Sequence, residues 1–509
     1  MSNLTQISFK NFRVFDSKTV FDLAPITFLT GPNSSGKSTL LKALLLLKSN
    51  YSSDLQVLDF SGSKHNLGTF DNTLNKDLIH EDELIVIGLQ TKLGSSSRGS
   101  FQSTFIKQPV TTRRSVYTVL REFDDSTKTP ITIELTYKRN DRSGKLKKIE
   151  LFSKDDEDAF LILEIGDLHE NSNHSLFIDA EKIIKDKNLN MIFHESLRIQ
   201  EAVLTKKIKS KTYFHTSFFS LKENSIESYI DEPISVFRKL YEKYIIENFD
   251  LKNRKEIHPF FSSMPLKRIL KDFAEITDNI EYLEAVRANT KRIYTNDSQG
   301  TSFNDLILEY RARDISEESL RFTNKWLKAF DIADEILFDN IEGVATTIFL
   351  IKNNRKIALA DLGYGITQFL PILLKIALEE PIKPKVENDL FIVKKTILLE
   401  EPETNLHPKL QSLIADFLID AIKSFELRFI VETHSEYIIR KMQVLTAEKK
   451  IKSADNLIYY FNEKNDENKS KIIKIEIKPN GVLTNEFGDG FYDEATNLKI
   501  ELLKSKIEK

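Results

Sequence analysis

The chain contains no cysteine. That absence excludes disulfides, thiolate zinc sites, iron–sulfur clusters and a cysteine nucleophile together, and leaves nucleotides or oxygen-ligated metals as the available cofactor chemistry. Long apolar runs are also lacking: none approaches the ~18 residues that a membrane span requires, so no membrane is expected among the partners. Around the start of the chain, Lys10 and Arg13 interrupt the hydrophobic pattern and no secretory leader is visible, which points to the cytoplasm. Charge of one sign is not in excess either. With 73 basic and 76 acidic side chains the net charge is −3, so nucleic acid is a partner only through a local basic patch. Glycine is scarce, 16 in 509 residues, and a glycine cluster therefore carries more weight than usual.

What is present suits a large globular chain, 40% hydrophobic and 29% charged, of several domains or of one domain with an insertion. Residues 6–12 and 18–23 alternate like two strands around a turn, and residues 26–30 form a short buried strand. A loop and an apolar helix follow. Residues 83–164 have strand texture, with a hairpin turn at residues 140–144. From 223 to 279 the pattern becomes charged and helical, with apolar residues three and four apart. No internal repeat or low-complexity linker divides the chain.

Four motifs carry chemistry. Gly31-Pro32-Asn33-Ser34-Ser35-Gly36-Lys37-Ser38, followed by Thr39, fits Gly-x-x-x-x-Gly-Lys-Ser/Thr between a strand and a helix. In such a loop backbone amides wrap a phosphate, Lys37 reaches the β- and γ-phosphates, and Ser38 ligates magnesium, so ATP and Mg2+ are the expected cofactors. The second motif, Thr396-Ile397-Leu398-Leu399-Glu400-Glu401-Pro402-Glu403, is an aliphatic strand ending in tandem acids. Glu400 is the candidate metal ligand and Glu401 the candidate base for an attacking water. Alone, two such acids read more readily as a solvated strand edge; beside a phosphate loop they read as catalytic.

The third motif is a strand running into Glu432-Thr433-His434-Ser435, whose His434 can hydrogen-bond a γ-phosphate or simply cap its strand. The fourth, Leu362-Gly363-Tyr364-Gly365-Ile366-Thr367-Gln368, opens an apolar helix whose N-terminus can face a nucleotide held by another subunit, or forms a tight turn.

This order of motifs resembles the ABC-type ATPase heads of the RecF and SMC group, and more narrowly the bacterial OLD-like AAA ATPases, with their Glu-Glu-Pro-Glu and Glu-Thr-His-Ser strands. Residues 7–13, 67–70 and 282–288 and the terminal Gly490-Phe491-Tyr492-Asp493-Glu494 look like that group too. The resemblance implies an α/β fold: an ABC-type P-loop ATPase head with a mixed sheet, flanking helices and an antiparallel β-subdomain, interrupted by a largely helical insertion. Residues 1–165 would form its N-terminal lobe, 166–279 the insertion and 280–509 the C-terminal lobe. It also implies that Gly363, Gly365 and Thr367 belong to the signature motif, Asn405-Leu406-His407 to the D-loop, and His434 to the switch, with Gln56 the Q-loop candidate. The signature departs from the Ser-Gly-Gly of transporter heads.

The resemblance further implies a homodimer or higher homo-oligomer through composite ATP sites. A separate effector, such as a nuclease or toxin, is expected in anti-phage defence. Only 75 residues follow His434, fewer than a C-terminal Toprim nuclease needs. Alternatives are a RecF-like DNA repair ATPase, or a non-catalytic nucleotide-gated scaffold, against which the intact Lys37, Ser38 and Glu401 argue. Partner docking is expected on the insertion, with Phe214, Phe218, Phe219, Phe260 and Phe261 as aromatic candidates if exposed.

Overall fold

A computed structural model describes residues 3–51, 57–62, 64–77, 83–92, 130–153, 156–165, 174–179, 182, 212–216, 273–285, 292–295, 302–312, 315–341, 345–379, 394–462, 472–488, 491–492 and 494–507. Most of the expected insertion, including Phe218, Phe219, Phe260 and Phe261, lies outside the described residues, as do Gln56, Gly490 and Asp493. The chain divides into two compact units. The first comprises residues 1–22, 42–279 and 387–394, the second residues 23–41, 280–386 and 395–509.

In chain order the strands are β1 (Asn3–Lys10), β2 (Thr19–Asp22), β3 (Ile26–Thr30), β4 (Val57–Leu58), β5 (Leu84–Lys92), β6 (Pro130–Asn140), β7 (Ser143–Ser153), β8 (Leu161–Glu164), β9 (His174–Ile178), β10 (Thr212–Thr216), β11 (Ile280–Leu283), β12 (Tyr294–Thr295), β13 (Glu335–Ile341), β14 (Ala345–Lys352), β15 (Arg355–Ala358), β16 (Thr396–Glu400), β17 (Arg428–Glu432), β18 (Asn456–Phe461) and β19 (Ile472–Ile475). The helices are α1 (Lys37–Tyr51), α2 (Phe70–Thr73), α3 (Ser302–Ala312), α4 (Glu317–Ala329), α5 (Tyr364–Ala377), α6 (Pro408–Phe425), α7 (Glu436–Ala447) and α8 (Glu494–Ile507).

The first unit is built on an antiparallel sheet in the order β10-β9-β8-β7-β6-β5-β1-β2, with β4 paired to β7. Its local signals are the period-two alternation of β7 and a two-residue turn between β6 and β7, where Asp141 takes a φ of 54°. At its core Phe9 stacks on Phe12 at 5.2 Å and on Phe15 at 5.5 Å, and Phe21 meets Phe9 and Phe15 edge-on.

The second unit contains the sheet β11-β16-β17-β3-β18-β19, in which the first five strands run parallel and β19 antiparallel. β3, β17 and β18 are buried at every position. That explains why they read as continuous apolar runs: a parallel strand covered on both faces has no solvent side to carry alternation. A smaller antiparallel sheet, β12-β14-β13 with β15 on β14, belongs to the same unit. Its core gathers rings from three helices and the turn after α4. Phe330 stacks on Phe369 at 4.0 Å, Trp326 meets Phe417 edge-on at 5.2 Å, and the Trp326 Nε1 donates to Asp420 at 2.8 Å. Parallel strands deliver their C-terminal ends to one edge, and that edge carries three of the four motifs.

Candidate functional site

The loop after β3 begins at Gly31, whose φ is 136°, and a Cβ there would collide with the Phe461 carbonyl oxygen of β18. Only glycine takes that backbone conformation without strain and lets the neighbouring strand approach so closely. Pro32, Asn33, Ser34 and Ser35 follow; Ser34 is left-handed at φ 61°, and the buried Ser35 hydroxyl has no hydrogen-bond partner. Gly36 accepts from the Thr39 amide at 3.0 Å as α1 starts. Lys37 is 3% exposed and donates to the carbonyls of Gly31 at 3.1 Å and Pro32 at 2.7 Å. The lysine is thus folded along the loop whose amides would face a phosphate.

Across the sheet, register sets the acids. Glu400 at the end of β16 pairs with Glu432 at the end of β17, and Glu432 pairs with Leu29 of β3. Glu432 Oε1 accepts the Ser38 hydroxyl at 3.1 Å and lies 3.9 Å from the Lys37 ammonium. Burial pushes the Glu432 carboxyl up to about 7, against the pull of Ser38 and Lys37, while the charges of Glu400 and Glu401 add to the rise. Burial likewise lowers the Lys37 ammonium, and Glu432 and Glu401 oppose that shift. The Tyr282 hydroxyl, on β11, donates to the Glu400 carboxylate; burial first and then Glu400 raise its pKa.

Glu401 stands just past β16 with φ 42°, a left-handed conformation unfavourable for glutamate, held by its amide donating to the Glu432 carbonyl at 2.8 Å. The Thr404 hydroxyl donates to Glu401 Oε2 at 3.0 Å. Glu403, 7% exposed, accepts the His434 amide at 2.7 Å, tying the end of one strand to the loop after the next. Burial raises the Glu403 pKa. The His434 ring is exposed; desolvation and the Lys37 charge hold its pKa below the usual histidine value, and Glu401 acts the other way. Ser435 then caps α7 and donates to Gln411 at 2.7 Å.

Lys37, Ser38, Glu400, Glu401 and His434 lie together as one electrostatic group around Glu432. The carboxylate that takes the Ser38 hydroxyl is Glu432. Glu432, Glu403 and Tyr282 were not singled out by sequence reasoning. A usable signal existed for Glu432, a lone acid at the end of an otherwise buried strand beside the His434 motif.

The fourth motif sits against Asn405 and Leu406. Gly363 N-caps α5, and a Cβ at Gly365 would overlap the Asn405 carbonyl oxygen, Asn405 itself being left-handed at φ 62°. Gly365 is needed there for close packing. Thr367 is 2% exposed, one turn inside the helix.

Among the described residues no group of three or more His, Asp or Glu side chains is placed to hold a metal by itself. The donor set that is present, the Ser38 hydroxyl backed by the buried Glu432 and the Glu400 carboxylate at the next strand end, fits magnesium, which keeps waters and phosphate oxygens and takes only one or two protein ligands. Also among the described residues, no helix is long and apolar enough to cross a membrane.

Residues 3–439 match the AAA ATPase domain family, and residues 451–502 a family described as a protein of unknown function (DUF3696). Endonuclease GajA of Bacillus cereus (strain HuB5-5) is 23% identical over 442 residues, covering 84% of this chain and 54% of that protein. The chain thus spans about half the length of this curated relative. Solved structures that overlay include an SMC head bound to the C-winged helix domain of ScpA, at 12% identity and TM-score 0.37 over 94% of this chain and 98% of that one. The SMC head domain from Thermotoga maritima does so at 13% identity and TM-score 0.34, over 94% and 97%. With residues 3–439 matched by its model, the chain belongs to the AAA ATPase domain family.

Proposed function

We propose that this ATPase binds ATP with Mg2+, dimerises around two nucleotides, and uses hydrolysis to control an effector protein in anti-phage defence. The observation that supports the chemistry best is the convergence of Lys37, Ser38 and the carboxylates of Glu400, Glu401 and Glu432 at the ends of three adjacent parallel strands. Lys37 binds the β- and γ-phosphates once its bonds to the Gly31 and Pro32 carbonyls exchange for phosphate oxygens. Ser38 and Glu400 hold the cation, directly or through water. Magnesium, when bound, neutralises charge on the phosphates and polarises the γ-phosphoryl group.

Glu401 orients the attacking water and takes its proton; the Thr404 hydroxyl donates to its carboxylate, and the Glu432 carbonyl holds its backbone by accepting its amide. His434, with its pKa held down, presents a neutral ring to the γ-phosphate. The Gly363–Gly365 turn, braced on Asn405, offers α5's N-terminus to the nucleotide of a second subunit. Control of a nuclease or toxin rests on resemblance to OLD-like ATPases and on a relative named an endonuclease.

The test is light scattering of the Glu401→Gln chain. With ATP and Mg2+ it should shift from a 58.8 kDa monomer to a dimer, or from a resting dimer to a larger assembly, and ADP should not produce the shift. A mass unchanged by ATP, with ATP bound, refutes nucleotide-driven assembly.

A further inference from the structure

Glu432 is a buried carboxylate to which the reading above gives no chemical task. At 6% exposure it sits where β17 ends beside the phosphate-loop strand, and an apolar side chain would fill that place at lower desolvation cost. Only one of its oxygens is engaged. Oε1 accepts the Ser38 hydroxyl at 3.1 Å, with Lys37 beyond hydrogen-bonding distance at 3.9 Å, and Oε2 is buried without a hydrogen-bond partner. The contact joins residues 394 positions apart in sequence, so it depends on the sheet being assembled and not on local chain geometry.

A serine hydroxyl has one hydrogen and two lone pairs. When the hydrogen points to Glu432, the lone pairs are directed elsewhere and are available to a cation; a freely rotating hydroxyl presents its hydrogen to the cation part of the time. Carboxylates standing behind a metal ligand orient it and raise its basicity in this way. Glu400 is occupied differently, since the Tyr282 hydroxyl donates to it from β11, the neighbour of β16 on the flank away from β17.

We infer that Glu432 is a positioning residue for Ser38, fixing its hydroxyl as a lone-pair donor to the divalent cation that accompanies the nucleotide. The inference rests on the proposed role of Ser38 as a cation ligand. It assigns the switch strand a part in cation binding that is separate from His434, and it places the hydroxyl's acceptor one strand away from the tandem acids.

The full chain is compared with Glu432→Met, Glu432→Gln, Ser38→Ala and the Ser38→Ala/Glu432→Met double variant, with Glu432→Ala as a second side chain lacking an acceptor. A fluorescent non-hydrolysable ATP analogue is titrated at equilibrium with Mg2+ and again with EDTA, and the ratio of the two Kd values is the readout. Magnesium should tighten binding to the unaltered chain. Glu432→Met should lose about tenfold of that gain, keep its EDTA Kd within about twofold, and melt no lower, because it replaces a buried charge with an apolar group of similar length. Glu432→Gln, whose amide oxygen still accepts the hydroxyl hydrogen, should retain most of the gain. The double variant should be no weaker than Ser38→Ala alone, since both act through one hydroxyl.

An unchanged magnesium gain in Glu432→Met and Glu432→Ala overturns the inference, as do additive losses in the double variant. So does parallel weakening in EDTA with a lower melting temperature, which marks a structural role. If the unaltered chain shows no magnesium gain, the cation-ligand reading of Ser38 falls and this inference with it; a gain present there but insensitive to Glu432 overturns the inference alone.

Discussion

The two units of the chain handle polar groups in opposite ways. In the antiparallel sheet of the first unit, polar side chains bond across neighbouring strands: the half-buried Thr5 donates to Gln90 at 2.9 Å and the buried Gln90 to Thr132 at 3.2 Å, a ladder over β1, β5 and β6. In the second unit, Lys37, Ser38, Glu400, Glu401, Glu432 and the His434 loop collect at one edge of a parallel sheet. The difference follows from strand direction. Antiparallel neighbours send their C-terminal ends to opposite edges and disperse whatever those ends carry, whereas parallel neighbours send them to the same edge. Chemistry concentrates where the strands agree in direction, and the first unit's sequence is left to specify packing.

The largest effect that would sharpen this contrast is on Lys37→Ala. Removing the buried cation should reduce ATP turnover by about a thousandfold or more, ~4 kcal/mol of transition-state stabilisation, in a phosphate-release assay. Turnover near the unaltered rate would break the assignment of chemistry to the second unit.

Next in size is a change in the first unit. Leu135 is fully buried on β6, and Leu135→Ala should lower unfolding free energy by about 2–5 kcal/mol. Its KM for ATP, measured well below the melting temperature, should be unchanged. A raised KM would show that the first unit takes part in nucleotide binding.

Smaller again is Gly365→Ala, whose Cβ meets the Asn405 carbonyl. Displacing either segment should cost roughly 1–3 kcal/mol in thermal or denaturant unfolding and weaken ATP-driven assembly, while nucleotide affinity of the isolated chain is retained.

The smallest effect is one of sign. His65, in the first unit, is 1% exposed and its Nε2 accepts the Gly62 amide at 3.1 Å; burial lowers its pKa below 6.5, against the neighbouring Asp59. The unfolded state then binds more protons than the folded one, so the stability from neutral His65 is present above 6.5 and is lost as pH falls through the folded pKa. Glu403, in the second unit, is raised above 4.5 by burial, so its folded state binds more protons and stability falls as pH rises from 4.5 through the folded pKa. Denaturant midpoints across pH should flatten in the first window for His65→Gln and in the second for Glu403→Gln. Slopes of the same sign would contradict the two causes.

Much of the second unit was legible because its signals are local. β3, β16 and β17 are short apolar runs of five residues each, and the glycines, lysine and tandem acids fall at their ends. What was not legible is which strand lies beside which. β17 lies between β16 and β3, and so it is Glu432, one strand away from the tandem acids, that reaches the Ser38 hydroxyl. Glu403 was hidden for a related reason: its partner is a backbone amide after another strand, 31 residues away. The Gly365 motif read either as a helix N-terminus facing another subunit's nucleotide or as a tight turn, and its close approach to Asn405 supplies a packing requirement that no pattern of spacing reveals.

The central claim, that this edge of the sheet both binds and hydrolyses ATP with separable residues for each, is tested most directly in one experiment on Glu401→Gln. The full chain is mixed with radiolabelled ATP and Mg2+, separated from free nucleotide, and the bound label is resolved into ATP and ADP over time. Binding within a few-fold of the unaltered chain, with the label remaining ATP while the unaltered chain converts it to ADP, is the predicted result. Cleavage of bound ATP at the unaltered rate would contradict it.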